Sequence, residues 1–390
     1  MEKTTRIQSI DILRGLVMII MALDHTRDFF HISAASADPL NPATTHAGLY
    51  FTRWITHFCA PIFIFLSGIS VFLSSQQKDS SQASIFMIKR GLWLIFAEII
   101  IMTFALTFNP VYSFIFLLVF WSIGWSMILL GIFSKISGKV VTVLGMLIVF
   151  GHNLLDFADL PQTGTPAFLI KIFFTGAATI LPLSPTHLIG FFYAVLPWTG
   201  MMFLGYAAGT WYQKDFSEIT RRKYLIRSGL ALCLIFIILR TINVYGDPAP
   251  HQEYPTFIQN VFSFMNLSKY PPSLLFFCMT IGPALLILAA LENVSNKVTR
   301  VIAVYGNVPF FYYVAHFYYL HLLLAVAFFL SGYQVKDIIQ SPIFFKPAGF
   351  GFQLPVVYAI WLFVVASLYL PCLWFKRYKT KHNQWWLKYI

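Results

Sequence analysis

Residues 9–31 read SIDILRGLVMIIMALDHTRDFFH, an apolar run that holds Asp11, Arg14, Asp24, His25, Arg27 and Asp28. On a helix turning about 100° per residue, with Asp11 at zero, Arg14 falls at about 300°, His25 at about 320° and Asp28 at about 260°. These four share one face, an arc of roughly 100° that also contains Met18 and Met21. Asp24 falls just outside that arc and Arg27 points away from it. Ionisable groups in hydrocarbon are expensive and line cavities or pathways. The stripe therefore predicts one continuous polar cavity lined by Arg14, His25 and Asp28.

Working outward, the composition sets the solvent. Hydrophobic residues make up 58% of the 390 and charged residues 11%, where a soluble domain carries about a quarter charged. Mean hydropathy is +0.71. The reading is an all-α polytopic membrane bundle, one domain over 1–390. Runs of about 20 apolar residues suit a bilayer crossing, and ten are read: 9–31, 55–75, 88–108, 114–134, 139–156, 189–212, 226–245, 272–291, 303–331 and 353–375. The Pro-rich connections 157–188 and 246–271 have room for short re-entrant or amphipathic pieces. The first run reads as a span rather than a cleavable signal peptide, because its apolar core is brief and Asp24 follows it. Cys59, Cys233, Cys278 and Cys372 all fall inside spans and read as buried small hydrophobes without disulfides.

Lysine and arginine orient the chain. They cluster at 3–6, 78–90, 135–139, 214–227, 297–300 and 376–388, all on one side if both termini are cytoplasmic. The opposite side holds Arg27, Arg53, Lys171, Arg240, Lys269, Lys336 and Lys346. The bias places both ends inside and the 32–54 loop outside, as a multi-pass protein of the cell inner membrane. The formal charge of +12 is accounted for by this topology and by anionic lipid. Nucleic-acid binding is excluded, since the basic residues lie on separate loops.

In this orientation His25 lies toward the outer face, with Arg14 about 16 Å deeper at 1.5 Å per residue. His57, in TRWITHFCAP (52–61), enters the second span at a similar depth. The ninth span carries Asn307 near its inner end and His316 and His321 farther out. Three helices thus offer imidazoles, which serve as general base, nucleophile or proton shuttle near neutral pH. His152 and His321 read as hydrogen-bond partners, and Glu98 as the partner of a basic residue. The aromatic series from Phe310 to Tyr319 reads as packing. Metal binding is a poor fit, because no H-x-x-x-H or C-x-x-C pair occurs. Gly68, Gly200, Gly205 and Gly209 mark close helix approach, and Pro197 predicts a break in the sixth span.

The stretches SIDILRGLVMIIMALDH, RWITHFCAPIFIFLSG, LPWTGMMFLGYAAG, NLSKYPPSLLFF and WLKYI together resemble bacterial relatives of heparan-α-glucosaminide N-acetyltransferase, over essentially the whole chain. The Arg14-x10-His25 spacing also resembles the signature of integral-membrane O-acyltransferases that acetylate surface polysaccharides. Both resemblances imply cytoplasmic acyl-CoA as donor, with acetyl-CoA foremost and no tightly bound cofactor, and a glycan acceptor beyond the membrane. In the lysosomal enzyme the acetyl-accepting histidine precedes the second span. Its nearest counterpart here is His46, one residue out of register counted back from Pro61, and that enzyme has an asparagine where this chain has His25.

The expectation is a membrane acyltransferase that moves an acyl group to a sugar hydroxyl or amine. His25, Asp28, His57 and Asp24 are the candidate catalytic residues, with Asp28 preferred to orient the His25 imidazole. Arg14, Asp11, His46, Arg53, Asn307 and His316 are the candidates for binding donor or acceptor. A secondary transporter using the same stripe is the alternative, against which no inverted repeat is visible. A scaffold with structural ion pairs is a third reading. Acceptor, acyl length, the formation of an acyl-histidine intermediate, the choice of His25 or His46 for the leading role, and oligomeric state, a homodimer among the choices, are left open.

Overall fold

The opening run forms a 23-residue helix, α1 (Gln8–Phe30), whose face opposite the stripe is as buried as the stripe itself. It packs against helices on several sides, which makes it the axis of the bundle. This computed structural model describes residues 7–34, 36–176, 179–339 and 341–389. Lys3 and Arg6, used above to orient the chain, and Ile390 of the closing motif lie outside the described residues.

After α1 come α2 (Ala47–Ile55) and α3 (Cys59–Ser75), joined by a 3-10 turn. Next are α4 (Ser80–Ala97), α5 (Thr103–Thr107), α6 (Val119–Ile136), α7 (Gly138–Gly151) and α8 (Gly164–Ile170). The remainder comprises α9 (Val195–Ala208), α10 (Glu218–Ile242), α11 (Phe257–Met265), α12 (Leu274–Leu291), α13 (Lys297–Asn307), α14 (Pro309–Leu330) and α15 (Leu354–Lys381). Every one of the ten expected spans lies at least partly on a helix. Among the described residues, seven helical segments are long and apolar enough to cross a membrane. The α1, α4 and α9 segments are outside that set. The first carries the ionisable stripe, the second Lys89 and Arg90, and α9 has only 14 residues.

Three expectations on the spans are corrected. Residues 114–117 and 187–191 are not helical: β1 (Phe114–Leu117) and β3 (His187–Phe191) pair in parallel, with β2 (Thr179–Ser184) antiparallel on the other side of β3. A short apolar run looks the same in a buried strand and a buried helix, so the strands were hidden in the spans that follow them. The expected span 303–331 is two helices, broken at Val308 (φ −133°, ψ 51°). Pro309 explains the break, since it lacks an N–H and pushes the residue before it out of helical conformation. Pro197 breaks nothing. It sits in the first turn of α9, where backbone N–H groups have no helical partner to lose.

Small residues set the two tightest crossings. A Cβ on Gly15 would overlap the Ile302 carbonyl, and one on Gly306 the Asp11 carbonyl, so α1 and α13 touch backbone to backbone. Gly68 and Gly205 do the same for α3 and α9, as such residues do in membrane bundles. The four cysteines are free; Cys59, Cys278 and Cys372 are buried and Cys233 partly so.

Loops roof the end of the bundle where α1 finishes. Phe352 donates its N–H to the Phe30 carbonyl at 2.6 Å, and Ile32 returns a bond to Phe352 at 3.1 Å. The 243–273 segment is held by buried Arg240, whose guanidinium donates to the carbonyls of Ala249 (2.8 Å), Ser263 (2.8 Å), Asn266 (2.9 Å) and Phe264 (3.0 Å). Asp247 accepts from the Ser268 N–H at 2.9 Å and the Ser273 hydroxyl at 2.6 Å. This fastened loop delivers Lys269 to the site described next.

Candidate active site

Two cavities lie along α1, one at each end of its charged stripe. The first, of about 160 Å³, is lined by Arg14, Ser67, Ser70, Arg90, Asn307 and Lys379 among others. The second, of about 50 Å³, is lined by Asp24, His25, Thr56, Cys59, Tyr193, Lys269 and Tyr313 with apolar neighbours. Asp28 lines neither. The expected single cavity is thus two, and the third member of the stripe is outside both.

At the His25 end the charges neutralise one another. Asp24 accepts from Arg27 at 3.2 Å and from Arg53, which reaches it from α2. Arg27 also pairs with Asp28 at 2.5 Å, and the Asp28 side chain is half exposed. The helical wheel placed Arg27 away from the site because it assumes one buried face. α1 is buried nearly all round, so its far side also needs partners, and Arg27 is 4% exposed. The Asp28 carboxylate bonds Arg27 rather than His25, which corrects the expected orienting role. Arg53, a candidate for binding donor or acceptor, bonds Asp24.

The partner of His25 is His316. His25 Nδ1 lies 2.7 Å from His316 Nε2, and the rings stack with centroids 5.0 Å apart. His316 is fully buried, and its Nδ1 is 3.0 Å from the Tyr312 carbonyl. A carbonyl only accepts, so His316 Nδ1 carries the proton and its Nε2 presents a lone pair. His25 Nδ1 must then be the donor, which leaves the His25 Nε2 lone pair without a protein partner among the described residues. Phe317 closes the other side, its ring centroid 4.2 Å from that of His25. A neutral imidazole held in one tautomer, with a bare nitrogen at a small cavity, is arranged to take a proton or attack a carbonyl.

The remaining candidates are placed as follows. His57 is buried on the turn before α3, packed edge-on against Phe276 at 5.3 Å, and it does not line the His25 cavity although Thr56 and Cys59 do. His46 is exposed and caps α2, accepting from the Leu49 N–H at 3.4 Å. At the other end Arg14 donates to Ser70 Oγ (2.6 Å), to Asp11 Oδ1 (3.3 Å) and to the Gly306 carbonyl (3.3 Å). Glu98, expected beside a basic residue, accepts instead from the backbone N–H groups of Phe120 (2.6 Å) and Trp121 (3.1 Å). It thereby satisfies the first turn of α6 from a neighbouring helix. His152 and His321 bond backbone carbonyls. Among the described residues no three His, Cys, Asp or Glu side chains come together as a metal site.

Several lining residues escaped the sequence reading. Lys269 was counted only as an outer-loop charge, Arg90 and Lys379 only as inner ones, and Tyr313 as packing. Their positions depend on how loop 243–273, α4, α14 and α15 converge, which spacing along the chain does not reveal.

The fold and its cavities define a membrane-type helical bundle with basic side chains at one cavity and a histidine pair at the other. The family profile described as heparan-alpha-glucosaminide N-acetyltransferase, catalytic, matches residues 6–245. The chain belongs to that acetyltransferase family. No curated protein matches it. The match covers α1 to α10 and so includes Arg14, His25 and Arg53, while His316, Asn307, Lys269 and Lys379 come from the part beyond it.

Proposed function

We propose that the protein transfers an acyl group, acetyl in the first instance, from acyl-CoA to a sugar hydroxyl or amine, with His25 Nε2 as the base. The acceptor enters the cavity at the His25 end. Its oxygen or nitrogen attacks the thioester carbonyl as His25 Nε2 takes its proton. The tetrahedral intermediate collapses, the C–S bond breaks, and the imidazolium returns the proton to the leaving thiolate. Lys269 is near enough to the cavity to favour the developing oxyanion. The anionic end of the donor sits against Arg14, Arg90 and Lys379, since phosphates bind best to guanidinium and ammonium groups. With ten spans and both termini cytoplasmic, the donor cavity opens to the cytoplasm and the His25 cavity to the far side.

The observation that carries the reading is the His25–His316 pair, because its hydrogen-bond order leaves one defined lone pair at the cavity. The deciding experiment incubates purified protein in detergent with labelled acetyl-CoA. Binding and slow hydrolysis without acceptor, with hydrolysis lost in His25→Ala, support the proposal. A protein that neither binds nor hydrolyses any acyl-CoA is a permease or scaffold instead. Cysteine labelling near Ser80 tests the orientation: exposure on the outer face overturns it.

A further inference from the structure

The two cavities are lined in the same order by the same four helices, α1, α3, α6 and α14, the last giving Pro309 and Phe310 to the first and Tyr313 to the second. On α1 Arg14 faces one and Met18, Met21, Asp24 and His25 the other. On α6 Phe120, Ile123 and Met127 face the first and Val119 the second. On and just before α3, Thr56, Cys59 and Ala60 line the His25 cavity, while Ser67, Ser70 and Val71 line the Arg14 cavity. These positions follow one another at helical spacing along a single face. Among the described residues Phe63 alone lines both cavities. One groove therefore runs between the helices, and a single half-buried aromatic ring divides it.

We propose that Phe63 is the gate of this groove and sets the size of acyl group that reaches His25. The inference rests on the acyl-CoA reading above. A donor anchored at Arg14 must bring its thioester about 16 Å along α1 to reach His25, at 1.5 Å per residue. Phe63 lies across that route, so its ring must swing aside for the arm to pass. The space behind it is small, and the ring's own volume limits what the His25 cavity admits. Until the arm passes, the ring keeps the cationic cavity and the histidine pair separate, which prevents water from using His25 against the thioester of a donor held at Arg14.

The test compares Phe63→Ala and Phe63→Leu with the parent protein. Removing the ring should raise transfer or hydrolysis of butyryl-CoA relative to acetyl-CoA by about 10-fold or more, the low end of what a few methylenes are worth in an apolar pocket. Acceptor-free hydrolysis of acetyl-CoA should rise with it, while donor Kd stays within about 2-fold; Phe63→Leu should give the same shifts, smaller. Phe63→Trp should lower kcat with donor Kd unchanged. A second readout needs no acyl chemistry. In proteoliposomes of a variant retaining Cys59 alone, a small anionic thiol reagent applied from the Arg14 side should label Cys59 faster when Phe63 is Ala or Leu. Active variants with unchanged acyl preference and unchanged Cys59 labelling overturn the gate and leave the acyltransferase reading intact. Faster labelling in a protein that binds no acyl-CoA keeps the gate and overturns the donor.

Discussion

The Arg14 end and the His25 end of α1 carry the same residue types but arrange them oppositely. Around His25 the ionised groups are matched: Asp24 stands between Arg27 and Arg53, and Arg27 also holds Asp28. His25 faces the cavity beside Lys269, with His316 behind it. Around Arg14, which bonds Asp11, the cavity wall also holds Arg90 and Lys379. A concentration of basic side chains suits an anionic ligand, whereas a histidine pair beside a single lysine suits a proton transfer. Membrane proteins tolerate buried charge where it has a partner or a function.

The sharpest way to break this comparison is at His25. His25→Ala should lower transfer by roughly 10²–10⁴-fold, the span of general-base contributions, while acyl-CoA binding measured by calorimetry stays nearly constant. His46→Ala should be mild, since His46 is an exposed helix cap. An acetylated intermediate mapped to His46, or an inactive His46→Ala beside an active His25→Ala, would move the chemistry to the loop before α2.

Asp24 tests the matched charges. Asp24→Asn leaves Arg53 without its counter-charge and Arg27 with Asp28 alone, and breaking a buried pair in this way costs roughly 3–5 kcal/mol. A lower Tm is expected, partly recovered when Arg53→Gln is added. A Tm unchanged by Asp24→Asn would mean the ion pairs are solvated and the pocket is not charge-matched.

His316→Phe sharpens the tautomer argument. A phenylalanine ring has no acceptor with which to fix the His25 proton, so kcat should fall by about 10–100-fold, as when the orienting partner of a functional histidine is removed, with KM little changed. Equal losses in kcat and stability would reduce His316 to a packing residue. The smallest effect is expected at the other end: Arg14→Ala should weaken donor binding by about 10-fold, the range of one charge-assisted contact, with the rate at saturating donor largely kept. A fall in kcat alone would place Arg14 at the reacting centre.

Much of the site was legible because α1 carries its chemistry in one continuous segment. Helical spacing puts Asp11, Arg14 and His25 on a common face, and the structure finds Arg14 and His25 lining cavities at its two ends. The wheel failed at Asp28 and Arg27, where it assumed a lipid-facing side that α1 does not have. Glu98 shows the same kind of limit. A buried carboxylate needs donors, but backbone N–H groups at the start of α6 supply them as well as a basic side chain would, and only geometry distinguishes the two.

The sequence by itself determined the apolar, mostly helical character of the chain and the placing of charge along its first helix, because hydropathy and a 3.6-residue repeat are properties of a segment. The tertiary structure decided that the stripe is divided in two, that His316 rather than an aspartate holds His25, that Lys269 descends from a loop to the cavity, and that strands cap two of the helices. Each of these depends on residues far apart in the chain meeting across the bundle. Which partners meet is set by close crossings at Gly15, Gly306, Gly68 and Gly205 and by the fastening of Arg240, and those are properties of packing rather than of any one segment.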